Sequence, residues 1–136
     1  MNTNDLPVKN IRTDLLYPEL SYKIVGALFE VFNKLGPGYL EKYYQRAIAV
    51  SLKEVGLKFK EQLYAPLIFK EVKIGKCFFD FLVEDKIVLE LKTGDRFSKK
   101  DIEQIHSYLK INKLQLGLLI NFTSQGVRFK RILNKN

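Results

Sequence analysis

One stretch limits the possible folds of this chain more than any other. Phe78 to Thr93 reads Phe-Phe-Asp-Phe-Leu-Val-Glu-Asp-Lys-Ile-Val-Leu-Glu-Leu-Lys-Thr, two apolar strands meeting at the polar turn Glu84-Asp85-Lys86. Strand side chains alternate between faces, so Glu90 and Lys92 share one face while Leu89 and Leu91 take the other. Asp80 lies opposite Phe79 and Phe81 in the same alternation. Directly opposed residues of a hairpin point to the same side. A three-residue loop pairs Val83 with Ile87 and Asp80 with Glu90, whereas a two-residue loop moves the register by one and sends Asp80 to the other face. The three-residue loop also gathers Phe79, Phe81, Ile87, Leu89 and Leu91 on one apolar face, and it is the register expected here.

Two carboxylates side by side among valines and leucines repel each other, and burial worsens the cost. A hard divalent cation such as Mg²⁺ removes that cost, because it takes oxygen ligands from one or two carboxylates plus water or phosphate. Lys92 then stands where an ammonium can orient or help deprotonate a water, or steady charge on a phosphate. The alternative is an ordinary Glu90–Lys92 pair on the solvated face of an antiparallel sheet.

A chain of 136 residues favours one domain, and with 46% hydrophobic residues it can bury a core. The single cysteine, Cys77, excludes an intramolecular disulfide and suggests no zinc cluster. No apolar run is long enough for a membrane span, and Met-Asn-Thr-Asn-Asp is no secretory signal, so a cytoplasmic protein without membrane contact is expected. The net charge of +8 favours polyanionic partners, chiefly nucleic acid. Local concentrations of charge fall at Arg96–Lys100 and Arg128–Arg131, although short clusters of this kind commonly serve solubility alone.

Met1 to Arg12 is polar and aperiodic and reads as a flexible arm, leaving 13–136 as one domain. Pro18 to Lys34 carries apolar residues at helical spacing, in two neighbouring stripes. Gly36-Pro37-Gly38 ends that helix. A second runs from Leu40 to Val55 with an inner stripe of Leu40, Tyr44, Ala47, Ile48, Ser51, Leu52 and Val55. Glu41 sits in its first turn, a placement the helix dipole already favours without any further role. The period then becomes two. A strand over Leu57–Leu63, a break or edge at Pro66, a strand over Leu67–Val72 and a turn near Gly75 precede the hairpin of Cys77–Val83 and Ile87–Lys92. Thr93-Gly94-Asp95 ends it. Ser98 is an N-cap for a helix reaching about Ile111, with Asp101 as its box-like partner. Leu116–Phe122 reads as an interior strand and Val127–Leu133 as a last, basic one. The order is helix, helix, four strands, helix, two strands. The helix between Ile87–Lys92 and Leu116–Phe122 acts as a crossover and makes those strands parallel neighbours.

Gly38, Glu41 and Tyr44 fit Gly-x-x-Glu-x-x-Tyr. Asp80, then Glu90-Leu91-Lys92, then Gln104 and Tyr108 fit Asp…Glu-x-Lys…Gln-x-x-x-Tyr. Over Leu15 to Leu133 the chain resembles the small bacterial GxxExxY proteins, a branch of the PD-(D/E)XK nuclease superfamily. The resemblance implies an α/β (α+β) fold, restriction-endonuclease-like, with a mixed sheet flanked by helices. Its αβββαβ core would here carry an extra N-terminal helix and a C-terminal strand. It implies Mg²⁺, with Mn²⁺ as a substitute, held by Asp80 and Glu90 and completed by Glu41. It gives Lys92 the attacking water and lets Gln104 and Tyr108 line the site. Phe79 stands where the superfamily's name has proline. The implied activity is metal-dependent hydrolysis of phosphodiester bonds in DNA or RNA. The alternative is an inactive module of the same fold that binds nucleic acid or a protein partner, and neither excludes a homodimer. Lys99, Lys100 and Arg128 are candidates for the flanking phosphates, although for any one of them plain surface solvation is the stronger expectation.

Overall fold

The computed structural model describes residues 16–94 and 98–134. The arm expected over Met1–Arg12, and Asp95, Arg96 and Phe97, lie outside the described residues. Two helices come first, α1 (Pro18–Leu35) and α2 (Glu41–Glu54). Three strands follow: β1 (Phe59–Phe69), β2 (Val72–Val83) and β3 (Ile87–Thr93). The chain ends with α3 (Lys99–Asn112), β4 (Leu116–Thr123) and β5 (Gly126–Leu133).

The strands form one sheet in the order β1-β2-β3-β4-β5. β3 and β4 run parallel, as a helical crossover requires, and the other neighbours are antiparallel. The sequence pattern predicts four strands before α3, and there are three. Pro66 does not break β1, because β1 is an edge strand and a missing N–H is tolerated there. The turn expected near Gly75 falls at Lys70-Glu71, both with positive φ, as a two-residue hairpin loop demands. Gly75 lies within β2, beside a register shift at Leu67/Ile68.

The sheet is packed on both faces. α1 and α2 cover Phe81, Val83, Ile87, Leu89, Leu91, Leu118, Ile120 and Phe122 with Ile24, Leu28, Val31, Tyr44, Ile48 and Leu52. α3 covers the other face, where Ile105, Tyr108 and Leu109 meet Leu63, Ala65, Phe79, Val88, Leu119 and Ile132. β4 is buried along its whole length, which explains its unbroken apolar run. α3 lies close to the sheet because Gly117 has no side chain. A Cβ there would stand 2.6 Å from Ile105 Cγ2. The inner stripe of α2 is narrower than its periodicity suggested, since Leu40 and Val55 are exposed.

Candidate active site

The hairpin register is the one expected: Val83 faces Ile87, Leu82 faces Val88 and Phe81 faces Leu89. The loop that sets it is stabilised by the Lys86 N–H donating to the Val83 carbonyl at 2.9 Å. One position further, backbone pairing stops and side chains replace it. The Asp80 N–H donates to Glu90 Oε1 at 3.1 Å, and the Leu91 N–H donates to Asp80 Oδ2 at 2.8 Å. Each carboxylate therefore fills the place of a ladder carbonyl, and the strands part around the pair.

The same point inverts the faces of β2. Phe79 packs on the α3 side, its ring 5.0 Å from Tyr108, whereas Phe81 packs on the α1–α2 side. The single apolar face expected for Phe79 through Leu91 is therefore split at Asp80. Gln62, between the paired Glu61 and Leu63 on β1, takes a φ of 56° at the same level. Strict alternation carries no signal for such a bulge.

Asp80 is buried, and Gln45 Nε2 of α2 donates to its Oδ1 at 2.7 Å. Gln45 lies one turn beyond Glu41, on the same helical face. Lys92 Nζ is 3.5 Å from Glu90 Oε2 and 3.6 Å from Asp101 Oδ1. Asp101 thus takes part twice: its N–H donates to Oγ of the N-cap Ser98 at 3.0 Å, and its carboxylate holds the lysine. Asn121, paired with Lys92 across β3 and β4, donates from Nδ2 to the Gly94 carbonyl at 2.9 Å and fixes the end of β3.

Burial, more than any other cause, pushes the Glu90 carboxyl up to about 8, with the charge of Asp80 adding to it and Lys92 opposing. Burial likewise pushes Asp80 up to about 6, against the Leu91 hydrogen bond, with Glu41 adding to the rise. The two titrate as a pair that keeps a proton near neutral pH. For Lys92, burial acts downward, but Glu90, Asp101 and Glu41 outweigh it and the ammonium is held above its usual value.

Glu41 is half-buried at the start of α2, and its charge reaches both Asp80 and Lys92. Tyr44 of the Gly38–Tyr44 motif has a structural task. Its hydroxyl donates to the Gly36 carbonyl at 2.6 Å and accepts the Tyr39 N–H at 3.2 Å, tying down the loop that starts α2. Gln104 and Tyr108 are not among the partners of the acid pair. They line a neighbouring cleft between α3 and the β1–β2 hairpin, together with Cys77. The Cys77 thiol is pushed up by burial and then by Glu90, so the cleft adjoins the charged cluster. Gln45 and Asp101 are the members that the sequence motifs do not include. Gln45 is legible in its spacing from Glu41, and Asp101 is concealed by its part in the cap.

Both carboxylates offer hard oxygen donors, and each oxygen keeps a free lone pair beyond the single partner named above. That donor set suits Mg²⁺ better than a soft metal. Among the described residues, no three His, Cys, Asp or Glu side chains converge as a finished cage. A cation here would take much of its shell from water and phosphate.

A family model described as the PD-(D/E)XK nuclease superfamily matches residues 18–132. Nucleases of this superfamily generally use divalent metals. Among solved structures, an alkaline exonuclease from Laribacter hongkongensis is 16% identical, with a TM-score of 0.48, and the match covers 94% of this chain and 75% of that one. The protein SSO0001 is 15% identical with a TM-score of 0.46, covering 87% of this chain and 79% of that one. No curated protein matches the sequence. With the family model spanning nearly all of the described residues, and the mixed sheet between helices already in place, the chain belongs to the PD-(D/E)XK nuclease superfamily.

Proposed function

We propose that this protein is a metal-dependent nuclease hydrolysing phosphodiester bonds in DNA or RNA, with Asp80, Glu90 and Lys92 at its centre. The observation that carries the reading is the acid pair wedged between parting strands, with both carboxyls pushed up and a charged lysine beside them. Asp80 and Glu90 would hold Mg²⁺, or Mn²⁺ in its place, with Glu41 as an outer or third ligand. A cation bound there neutralises charge on the phosphate and makes a coordinated water acidic. Gln45 keeps Asp80 oriented while its second lone pairs remain available. Lys92, kept as an ammonium, acts as a donor to the attacking water or to a phosphate oxygen, and Asp101 holds it in place. Gln104 and Tyr108 line the approach from the α3 side. Loading the pair releases the proton it retains at neutral pH. Among the described residues no helix is long and apolar enough to cross a membrane, and the +8 charge suits a polyanionic substrate.

The test combines calorimetric titration of Mg²⁺ and Mn²⁺ with a cleavage screen over single- and double-stranded DNA and RNA. Wild type should bind metal and cut at least one substrate, and Glu90→Gln should do neither. A wild type that binds no divalent ion, or cleavage that persists in Glu90→Gln, would end this reading. Salt-sensitive nucleic-acid binding unaffected by Glu90→Gln, without cleavage, would instead identify an inactive binding module.

A further inference from the structure

Beyond the acid pair, β1 and β2 continue as a hairpin with one face turned to α3 and the other, among the described residues, exposed at Tyr64, Ile68 and Phe78. Tyr64 pairs with Phe78, Pro66 with Lys76 and Ile68 with Lys73 across the two strands. Opposed residues share a side, so these six form one surface. It is the side away from Leu63, Ala65, Cys77 and Phe79, which face α3. Tyr64 and Phe78 stand edge to face with centroids 5.8 Å apart, and both are nearly half exposed, at 45% and 47%. Lys73 Nζ lies 5.1 Å from the Tyr64 centroid and Lys76 Nζ 5.9 Å from that of Phe78. With Ile68, itself 50% exposed, these rings make a contiguous exposed apolar patch, the kind that marks an interaction site. From Leu63 to Phe79 the chain carries three lysines and one glutamate, so the surface is cationic as well as aromatic.

We propose that the Tyr64–Phe78 face of the hairpin, flanked by Lys73 and Lys76, is a stacking platform for the bases of single-stranded nucleic acid. Aromatic rings interleaved with cations are what an unpaired strand requires: π-faces for bases and ammonium groups for phosphates. The position favours this occupant over a protein partner. Phe78 precedes Asp80 by two residues of the same strand, about 7 Å at the usual rise. Phe78 lies on the side away from its neighbour Phe79, and so away from α3; Asp80 is reached from that side by Gln45 of α2. A strand whose bases stack on the platform therefore passes its backbone by Asp80, the member of the acid pair that α2 reaches. The proposal rests on the nuclease reading and narrows its substrate to strands with exposed bases, such as single strands or frayed ends.

The test is fluorescence anisotropy of a labelled fifteen-nucleotide thymidine oligonucleotide in EDTA, which reads binding without cleavage. It can fail while cleavage survives, and it can succeed where no cleavage is seen. Tyr64→Ala/Phe78→Ala should weaken binding at least about tenfold, while wild type should lose a similar factor on an abasic strand of equal length. Lys73→Gln/Lys76→Gln should lower the salt slope by about 0.7 for each phosphate no longer neutralised. Because the four side chains are exposed, a melting curve like that of wild type is expected for both variants. Unchanged affinity in the aromatic variant would overturn the proposal, as would equal binding of abasic and thymidine strands. Loss of self-association with unchanged oligonucleotide affinity would also overturn it and make the hairpin a contact between two copies.

Discussion

Replacing Glu90 by glutamine should stabilise the metal-free protein, and increasingly so as pH rises from 5 to 8. The folded state holds the Glu90 carboxyl up to about 8, from an ordinary value of 4.5, with the Lys92 attraction already included in that balance. Between those values the folded protein binds more protons than the unfolded chain. Stability is therefore fully present below the unfolded value and falls as pH rises through the folded one. At about 1.4 kcal/mol for each tenfold change in proton affinity, the gross cost of ionising Glu90 near pH 8 is about 4 kcal/mol. Glu90→Gln keeps an oxygen for the Asp80 N–H and removes that cost. With roughly 4 °C per kcal/mol for a domain of this size, its Tm in EDTA should exceed that of wild type by about 15 °C at pH 8. At pH 5 the two should differ by less than about 1 kcal/mol. Differential scanning calorimetry of both proteins across this range gives the comparison, and millimolar Mg²⁺ should raise the wild type at pH 8 while leaving the variant nearly unmoved. A constant difference between the two from pH 5 to pH 8, or a less stable variant at pH 8, would refute the account of the buried pair.

Two further substitutions probe how the site is held. Tyr44→Phe removes a hydroxyl with two backbone partners, so its urea midpoint should fall by the equivalent of about 1–2 kcal/mol; an unchanged midpoint would show that the α2 loop does not depend on it. Gly117→Ala drives a methyl into Ile105 and should cost about 1–3 kcal/mol, and adding Ile105→Ala should recover part of that loss, a non-additivity that a double-mutant cycle reads directly.

The elements legible in the sequence are those whose periodicity reflects a single packed face. α1, α2 and α3 lie within a residue or two of their expected limits, and the buried run at Leu116 marks β4. The hairpin register that leads to Asp80 and Glu90 follows from the three-residue loop, as far as Phe81 opposite Leu89. The β1–β2 hairpin is divided wrongly from sequence because Pro66 and Gly75 are local breakers; Pro66 is tolerated on the edge strand β1, and Gly75 sits in β2 beside the register shift. Its true turn, Lys70-Glu71, carries none of the Asn-Gly chemistry that announces such loops. The inversion at Asp80 is illegible because it arises where two strands separate, a tertiary event without a periodic trace. Gln45 shares the helical face of Glu41, a spacing the sequence does carry, whereas Asp101 joins the site through α3 and only packing could place it beside Lys92.

The exchange of ladder carbonyls for carboxylates also governs how mutational data on this protein should be read. Truncating Asp80 to alanine deletes an acid, but it also strands the Leu91 amide without its acceptor and unties the two strands at that level. Loss of activity in an alanine scan would then look the same whether chemistry or architecture had failed. Isosteric amides separate the two, because they keep the seam closed while silencing the charge.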